Sequence, residues 1–255
     1  MNKPTPSVFQ ELENNYFGPN RHESAEIDNL HKILGGVKCF VDVGASLGQY
    51  SYFSSKILKD AKFYCVEADP YKAARLRELT EKWAEDTKNE FEIVEKAASD
   101  QSEEITFFVP ANHLSSGALF PIPGTDGDWE KVTVEALTID SMFENVDIDF
   151  MKLDVEGAEY RALVGAKKTM ERCDMRLLLE IAPWGDKERS HGPSDVLNLL
   201  ASYGYDFEIF ENHYLFSRKS SSLKRWVKSR TLGFVLDHPQ LKVRVKNLFN
   251  RLRGK

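Results

Sequence analysis

The chain has 255 residues, 42% of them hydrophobic, and a formal net charge of −6. That is enough apolar material for one well-buried α/β domain with appendages, and too little chain for two full domains. No apolar run approaches about 18 residues and the N-terminal MNKPTPSVFQ lacks an apolar core, which argues against a membrane span or secretory signal and for a cytoplasmic protein.

The net charge hides an asymmetry. From Arg218 onward there are 12 Lys or Arg and one acid, Asp237, so the preceding residues carry 22 basic against 39 acidic side chains. A basic segment on an acidic body suggests that the segment has its own partner. Cys39, Cys65 and Cys173 are scattered without C-x-x-C spacing and read as reduced, structural thiols rather than a zinc site.

Residues 1–23 contain Pro4, Pro6, Gly18 and Pro19 and read as an irregular arm. Ser24 to Leu34 places Ile27, Leu30 and Leu34 at helical spacing before Gly35-Gly36 stops it, a helix expected beside the mouth of the site. With the arm it forms an appendage over residues 1–36, ahead of a main domain over residues 37–218.

Phe40 to Ser51, FVDVGASLGQYS, is an apolar run carrying Asp42, then a glycine turn, then a helix-like segment. A buried strand that opens a helix through such a turn brings backbone N–H groups up to a nucleotide-like ligand. A dinucleotide site wants G-x-G-x-x-G, but Ala45 and Ser46 follow Gly44 before Gly48. Asp42 would repel a pyrophosphate, yet it suits the cationic methionine end of S-adenosylmethionine. The next apolar run, Lys62 to Val66, ends in Glu67, about 20 residues on from the first glycine, where a carboxylate accepts ribose hydroxyls in either cofactor class. The bland alternative is a structural turn with Asp42 and Glu67 as caps.

After the turn a helix runs to about Lys59, with Phe53 and Ile57 available to pack on the sheet. Asp69-Pro70 opens a helix from about Tyr71 to Glu85, and Phe91 to Val94 is a third strand. The small residues Ala97, Ala98 and Ser99 just beyond it are candidates for an adenine pocket. Glu104 to Val109 and Lys131 to Ala136 read as β structure. The Pro-, Gly- and Ser-rich stretch between them, over residues 110–130, reads as an acceptor-side lid carrying His113, Ser115, Ser116 and Trp129, or as a surface insertion.

DFMKLDVEGAE, from Asp149 to Glu159, is the second informative stretch. Phe150 to Leu153 reads as a central parallel strand, apolar on both faces except for Lys152, and a buried lysine needs a carboxylate partner. Asp154, Glu156 and Glu159 follow where ligands collect in open α/β sheets. Ala158 to Met170 reads as one helix, Met175 to Ile181 as a buried strand ending in Glu180, and Ser194 to Ser202 as a helix. Glu180 is either a site residue or a structural partner for Lys152. A second rim loop, Ala182 to Pro193, carries His191, and Asp206 to Phe210 with Tyr214 to Ser217 form a terminal hairpin. The sum is one doubly wound sheet with an antiparallel last strand.

Over roughly residues 38–218 the chain resembles the FkbM family of S-adenosylmethionine-dependent methyltransferases. The most specific element is K-x-D-x-E-G-A-E, present as Lys152, Asp154, Glu156, Gly157, Ala158 and Glu159 and followed by Gly165-Ala166; FVDVGASLGQYS and VEADP match as well. The resemblance implies a seven-stranded class I methyltransferase fold, Rossmann-like, and methylation of a hydroxyl on a sugar or natural product. The matching stretches nominate Asp42, Gly44, Ala45, Ser46, Gly48, Gln49, Tyr50, Ser51, Glu67, Ala68 and Asp154, with Ala97 and Ala98, as the cofactor site.

Such an enzyme must hold a methyl in line with the acceptor oxygen, exclude water and remove a proton. Asp154 at the strand tip is the candidate base, or the ligand of a divalent ion; Glu156, Glu180, His113 and His191 stand in reserve. Asp154, Glu156 and Glu180 are hard oxygen ligands of the kind Mg²⁺ takes, or else a set that neutralises Lys152. In residues 219–255, Leu223, Trp226 and Val227, then Leu241, Val245, Leu248 and Leu252, make two basic amphipathic segments suited to an anionic membrane surface or a partner protein, ahead of nucleic acid. Competing readings are a small natural-product acceptor, a nicotinamide-dependent oxidoreductase, and a donor-binding pseudoenzyme.

Overall fold

The computed structural model describes residues 6–111, 117–119, 121, 129–182 and 191–218. The expected lid residues His113, Ser115 and Ser116, residues 183–190 of the second rim loop, and the basic residues 219–255 with their two amphipathic segments lie outside them.

The proline- and glycine-bearing N-terminal arm is not irregular: Pro6–Phe17 is a helix, α1. Its apolar side explains why. Leu12 is buried and packs with Ala45, Leu47, Leu76 and Trp83, so tertiary contacts on the glycine turn override the weak local signal. α2 (Ser24–Asn29) and a 3₁₀ turn (Leu30–Lys32) follow, laying Ile27, Leu30 and Leu34 against Phe40, Tyr50 and Phe63.

The core strands are β1 (Cys39–Val43), β2 (Lys62–Val66) and β3 (Glu90–Val94), with α3 (Gln49–Ile57) and α4 (Pro70–Thr87) as crossovers. Phe53 of α3 packs on the sheet, but Ile57 is exposed rather than packed. The Asp69 side chain accepts from the backbone N–H groups of Tyr71 and Lys72 and so starts α4 with Pro70 in its first position. β4 (Ala97–Ala98), β5 (Glu103–Pro110) and β6 (Trp129–Leu137) leave the main sheet and form a second one in the order β4-β6-β5.

After the short α5 (Ile139–Met142) the chain returns through β7 (Phe150–Leu153), α6 (Glu159–Val164), α7 (Lys167–Arg172), β8 (Arg176–Leu179), α8 (Pro193–Ser202), β9 (Asp206–Phe210) and β10 (His213–Ser217). The expected single helix from Ala158 to Met170 is two. A Cβ on Gly165 would lie 2.1 Å from the Ser99 carbonyl oxygen, so the chains meet there backbone to backbone. The Gly165 carbonyl accepts from the Asp140 N–H, and the Asp140 carboxylate caps Lys168 and Thr169 to start a new helix. Ala162, Leu163, Ala166 and Met170 still face the core, all fully buried.

The main sheet has seven strands in the order β3-β2-β1-β7-β8-β10-β9. β10 alone runs against the other strands, wedged between β8 and β9 and antiparallel to both. Chain order reverses direction between β1 and β7, which pair in parallel with Asp42 opposite Lys152. A crevice at the carboxyl ends of β1 and β7 is therefore the place where an open α/β sheet binds its ligand.

Candidate active site

At that crevice lies a cleft lined by Gly44 and Ser46 from the turn, Glu67 and Ala68 after β2, Ala97 and Ala98 from β4, and Asp154 and Glu156 after β7. Gly44 is there because nothing else fits: its φ is +76°, and a Cβ would lie 1.7 Å from the Asp154 carbonyl oxygen. That close approach joins the two motif stretches into one wall.

Glu67 is buried, with both carboxylate oxygens engaged by backbone: Ser46 N–H donates to one at 2.6 Å and Asp69 N–H to the other at 2.8 Å. Burial pushes its pKa up, opposed by the Lys72 ammonium. Glu67 therefore ties the glycine turn to β2 while one edge faces the cleft. Ser99 is buried behind Ala97 and Ala98, its N–H bonded to the Leu137 carbonyl.

Asp42, Gln49, Tyr50 and Ser51 stand behind this wall rather than in the lining. Asp42 is 1% exposed, and one of its oxygens accepts from Ser51 Oγ at 2.7 Å and Ser51 N at 3.2 Å, anchoring α3 to β1. Burial pushes Asp42 up, and the Lys152 ammonium opposes it. The Gln49 amide donates to the carbonyls of Tyr16 and His22 and straps the N-terminal segment over the turn. Ala45 and Gly48 shape the turn, with Gly48 at φ +77° before α3.

Lys152 Nζ donates to Asp154 Oδ2 at 3.0 Å and lies 4.9 Å from the centre of the Tyr50 ring. Burial alone would lower its pKa, but Asp154 and Asp42 outweigh that and hold it charged. The partner of Lys152 is therefore Asp154, with Asp42 behind, and not Glu180. Glu180 instead lies 3.5 Å from His213. Burial and the neighbouring Asp154 push Glu180 up to about 7.

Sequence reasoning missed His213, Glu23 and Glu26. Tyr214 pairs with Leu179 in the antiparallel β8–β10 ladder, so one step further His213 falls across from Glu180. Glu23 Oε1 lies 3.1 Å from His213 Nε2. Glu26 Oε1 lies 3.6 Å from His213 Nδ1 and accepts from Asn212 N and Nδ2, contacts that outweigh burial and hold Glu26 below its ordinary pKa. Knowing that β10 inserts beside β8 would have been the signal; a His opening a hairpin strand is otherwise silent.

The reserve residues are dispersed. His191 stacks on Tyr160, centroids 3.8 Å apart, with Asp195 at 3.9 Å, away from the cleft lining. Glu156 lines the cleft with a left-handed backbone, φ 52°. Among the described residues the group whose metal-ligating atoms converge is Glu23, Glu180 and His213, not Asp154, Glu156 and Glu180.

No curated relative matches the chain. Among solved structures it is similar to a methyltransferase FkbM from Methylobacillus flagellatus KT, at 15% identity and a TM-score of 0.47, covering 81% of this chain and 47% of that one. The chain thus spans less than half the length of that protein. It is also similar to a SAM-dependent methyltransferase from Aquifex aeolicus (14% identity, 84% of this chain and 96% of that one, TM-score 0.46). A third is Aeropyrum pernix fibrillarin with natively bound S-adenosylmethionine (12%, 71% and 66%, TM-score 0.42). The model of the methyltransferase FkbM domain matches residues 42–207, which takes in the glycine turn, Glu67 and the Lys152-to-Glu159 motif. With that match, and with the sheet order of a class I methyltransferase, the chain belongs to the FkbM family of S-adenosylmethionine-dependent methyltransferases.

Proposed function

We propose that the protein transfers the methyl group to a hydroxyl, and that the hydroxyl belongs to a sugar in a glycan or glycolipid. The observation that carries this reading is Asp154, a carboxylate in the lining of the cleft whose other edge is held by a buried lysine. The cleft fits the donor: small residues at Ala68, Ala97 and Ala98 leave room for a flat ring, and the Glu67 carboxylate faces hydroxyls. When bound, S-adenosylmethionine supplies an activated methyl group and carries its own leaving group.

What this chain adds is position and proton removal. Asp154 accepts the hydrogen bond of the acceptor hydroxyl and then its proton. Lys152 permits this, because Asp42 still balances the ammonium when Asp154 is neutral. A positioned base typically contributes about 10²–10⁴-fold in rate. Glu23 and Glu180, both partly exposed, add carboxylates beside Asp154 of the kind that accept hydrogen bonds from several hydroxyls and repel an anionic acceptor.

Asp154→Asn is the test. Turnover falls about 10²–10⁴-fold while the donor dissociation constant, measured by calorimetry, stays within a few-fold. Unchanged turnover removes Asp154 as the base. Label from methyl-labelled donor, followed into lipid-linked, polymeric-glycan and small-molecule fractions of a host extract, tests the acceptor: label confined to small molecules overturns the glycan assignment.

A further inference from the structure

We propose that Glu23, Glu180 and His213 form a binding site for one divalent transition-metal ion at the acceptor side of the cleft. The site deepens the methyl-transfer reading, but metal binding stands or falls without it. The ligand atoms, one carboxylate oxygen from each glutamate and a ring nitrogen from the histidine, all lie within 4.8 Å of one another. His213 Nε2 is 3.1 Å from Glu23 Oε1 and 3.5 Å from Glu180 Oε2. Ligands at about 2.1 Å from a common ion stand roughly 3–4 Å apart, so the two shorter edges already have that spacing. The third closes by rotation of Glu180, whose side chain is 50% exposed.

A carboxylate of the kind a metal-bound histidine uses stands behind the ring. A ligating imidazole turns its other nitrogen to a carboxylate or carbonyl, which fixes the tautomer and the ring. His213 is 2% exposed, and its Nδ1 faces the Glu26 carboxylate, itself fixed by two bonds from Asn212. At 3.6 Å this contact is longer than a hydrogen bond, and both His213 Nδ1 and Glu26 Oε2 are buried without a hydrogen-bond partner. An imidazole nitrogen on the metal would polarise Nδ1–H toward Glu26 and draw that pair together.

Charge and backbone point the same way. Glu23, Glu26, Asp154 and Glu180 converge on a region where the Lys152 ammonium is bound to Asp154. A protonated His213 would still leave the group net negative. Glu23 reaches it from a left-handed backbone, φ 52° and ψ 33°, a conformation that a non-glycine residue keeps only where its surroundings demand it. One imidazole with two carboxylates suits Mn²⁺ or Zn²⁺ better than the all-oxygen preference of Mg²⁺. Three protein ligands leave open positions, one for an acceptor hydroxyl, whose acidity the ion would raise next to Asp154.

The experiment titrates metal-stripped protein with Zn²⁺ by calorimetry and with Mn²⁺ by electron paramagnetic resonance, with neither donor nor acceptor present. The expected result is one site per chain, weakened at least about tenfold by E23Q and by E180Q and about 10–100-fold by E26Q, which acts only through the histidine. E23Q and E180Q alter partly exposed side chains and are expected to fold, whereas H213N removes a buried ring and is read only alongside them. Absence of stoichiometric binding to the unaltered protein overturns the site, as does binding that E23Q and E180Q leave unchanged. Because no methyl acceptor is used, a failure here is distinct from a failure of the methyl-transfer reading.

Discussion

The donor cleft takes its walls from backbone and small side chains at Gly44, Ala68, Ala97 and Ala98, whereas the cluster at its rim is made of charged side chains at positions 23, 26, 154, 180 and 213. In the cleft, recognition rests on where the chain can approach closely, so single atoms of extra bulk matter most. In the cluster it rests on charge balance, so single charges matter most. Asp154 belongs to both, and the Lys152 ammonium holds it.

The largest effect follows from breaking that charge balance. In Lys152→Met a side chain of similar length replaces a buried ammonium and leaves Asp42 buried with Ser51 as its hydrogen-bond donor. Removing one partner of a buried pair costs about 3–5 kcal/mol, which urea unfolding measures. A loss below about 1 kcal/mol would show that Asp42 is carried neutral in the fold and that the rim does not depend on Lys152 for balance.

On the cleft side, Gly44→Ala forces a Cβ to within 1.7 Å of the Asp154 carbonyl at a φ of +76°. Backbone strain and overpacking together predict a loss of about 2–4 kcal/mol, with donor binding weakened in the same variant because the turn must move away from β7. A melting temperature unchanged from the parent would mean that the two motif walls are not in contact.

The same contrast explains what the sequence made legible. The cleft was visible because each of its walls is a contiguous run: strand, glycine turn and helix around Gly44, and the Lys152-to-Glu159 motif after β7. The cluster was only partly visible, through Asp154 and Glu180, because its members come from four separate elements and meet only through sheet order. The terminal hairpin leads one to expect an antiparallel last strand, but nothing local to His213 says that this strand inserts beside β8 and sets the ring across from Glu180. The helix from Ser24 is expected beside the mouth of the site, but nothing local to Glu23 says that its side chain meets His213 there. The α1 helix was misread for a related reason, since its stability comes from Leu12 against the glycine turn and not from its own residues.

A pH series sharpens the comparison at Glu159, a buried carboxylate that belongs to the contiguous motif. Burial pushes Glu159 up to about 8 from its ordinary 4.5, against the Gly157 N–H that it accepts. The folded protein therefore holds a proton that the unfolded chain has lost, so this contribution is present in full below about pH 4.5 and is lost as pH rises toward 8. Glu159→Gln keeps an acceptor for Gly157 and cannot titrate. Relative to the parent it gains stability on going from pH 5 to pH 8, by about 3–4 kcal/mol. Parallel stability curves for the two proteins would place Glu159 outside the linkage.

The smallest effect is expected where the N-terminal segment is strapped to the turn. Gln49 donates from one amide nitrogen to the Tyr16 and His22 carbonyls, at 2.8 and 2.9 Å, and it does so from behind the cleft wall rather than from within it. Gln49→Ala removes both bonds, and at about 0.5–1.5 kcal/mol for each it destabilises the protein by about 1–3 kcal/mol. The consequence is unequal on the two sides. Gly44 and Glu67 keep their own backbone ties to β2, so donor affinity changes little. Glu23 follows directly on the strapped segment, and its hold on His213 weakens when His22 is released. Donor binding and metal binding measured on the same Gln49→Ala sample should therefore separate, with the loss falling on the metal; equal losses would mean that cleft and cluster share one support.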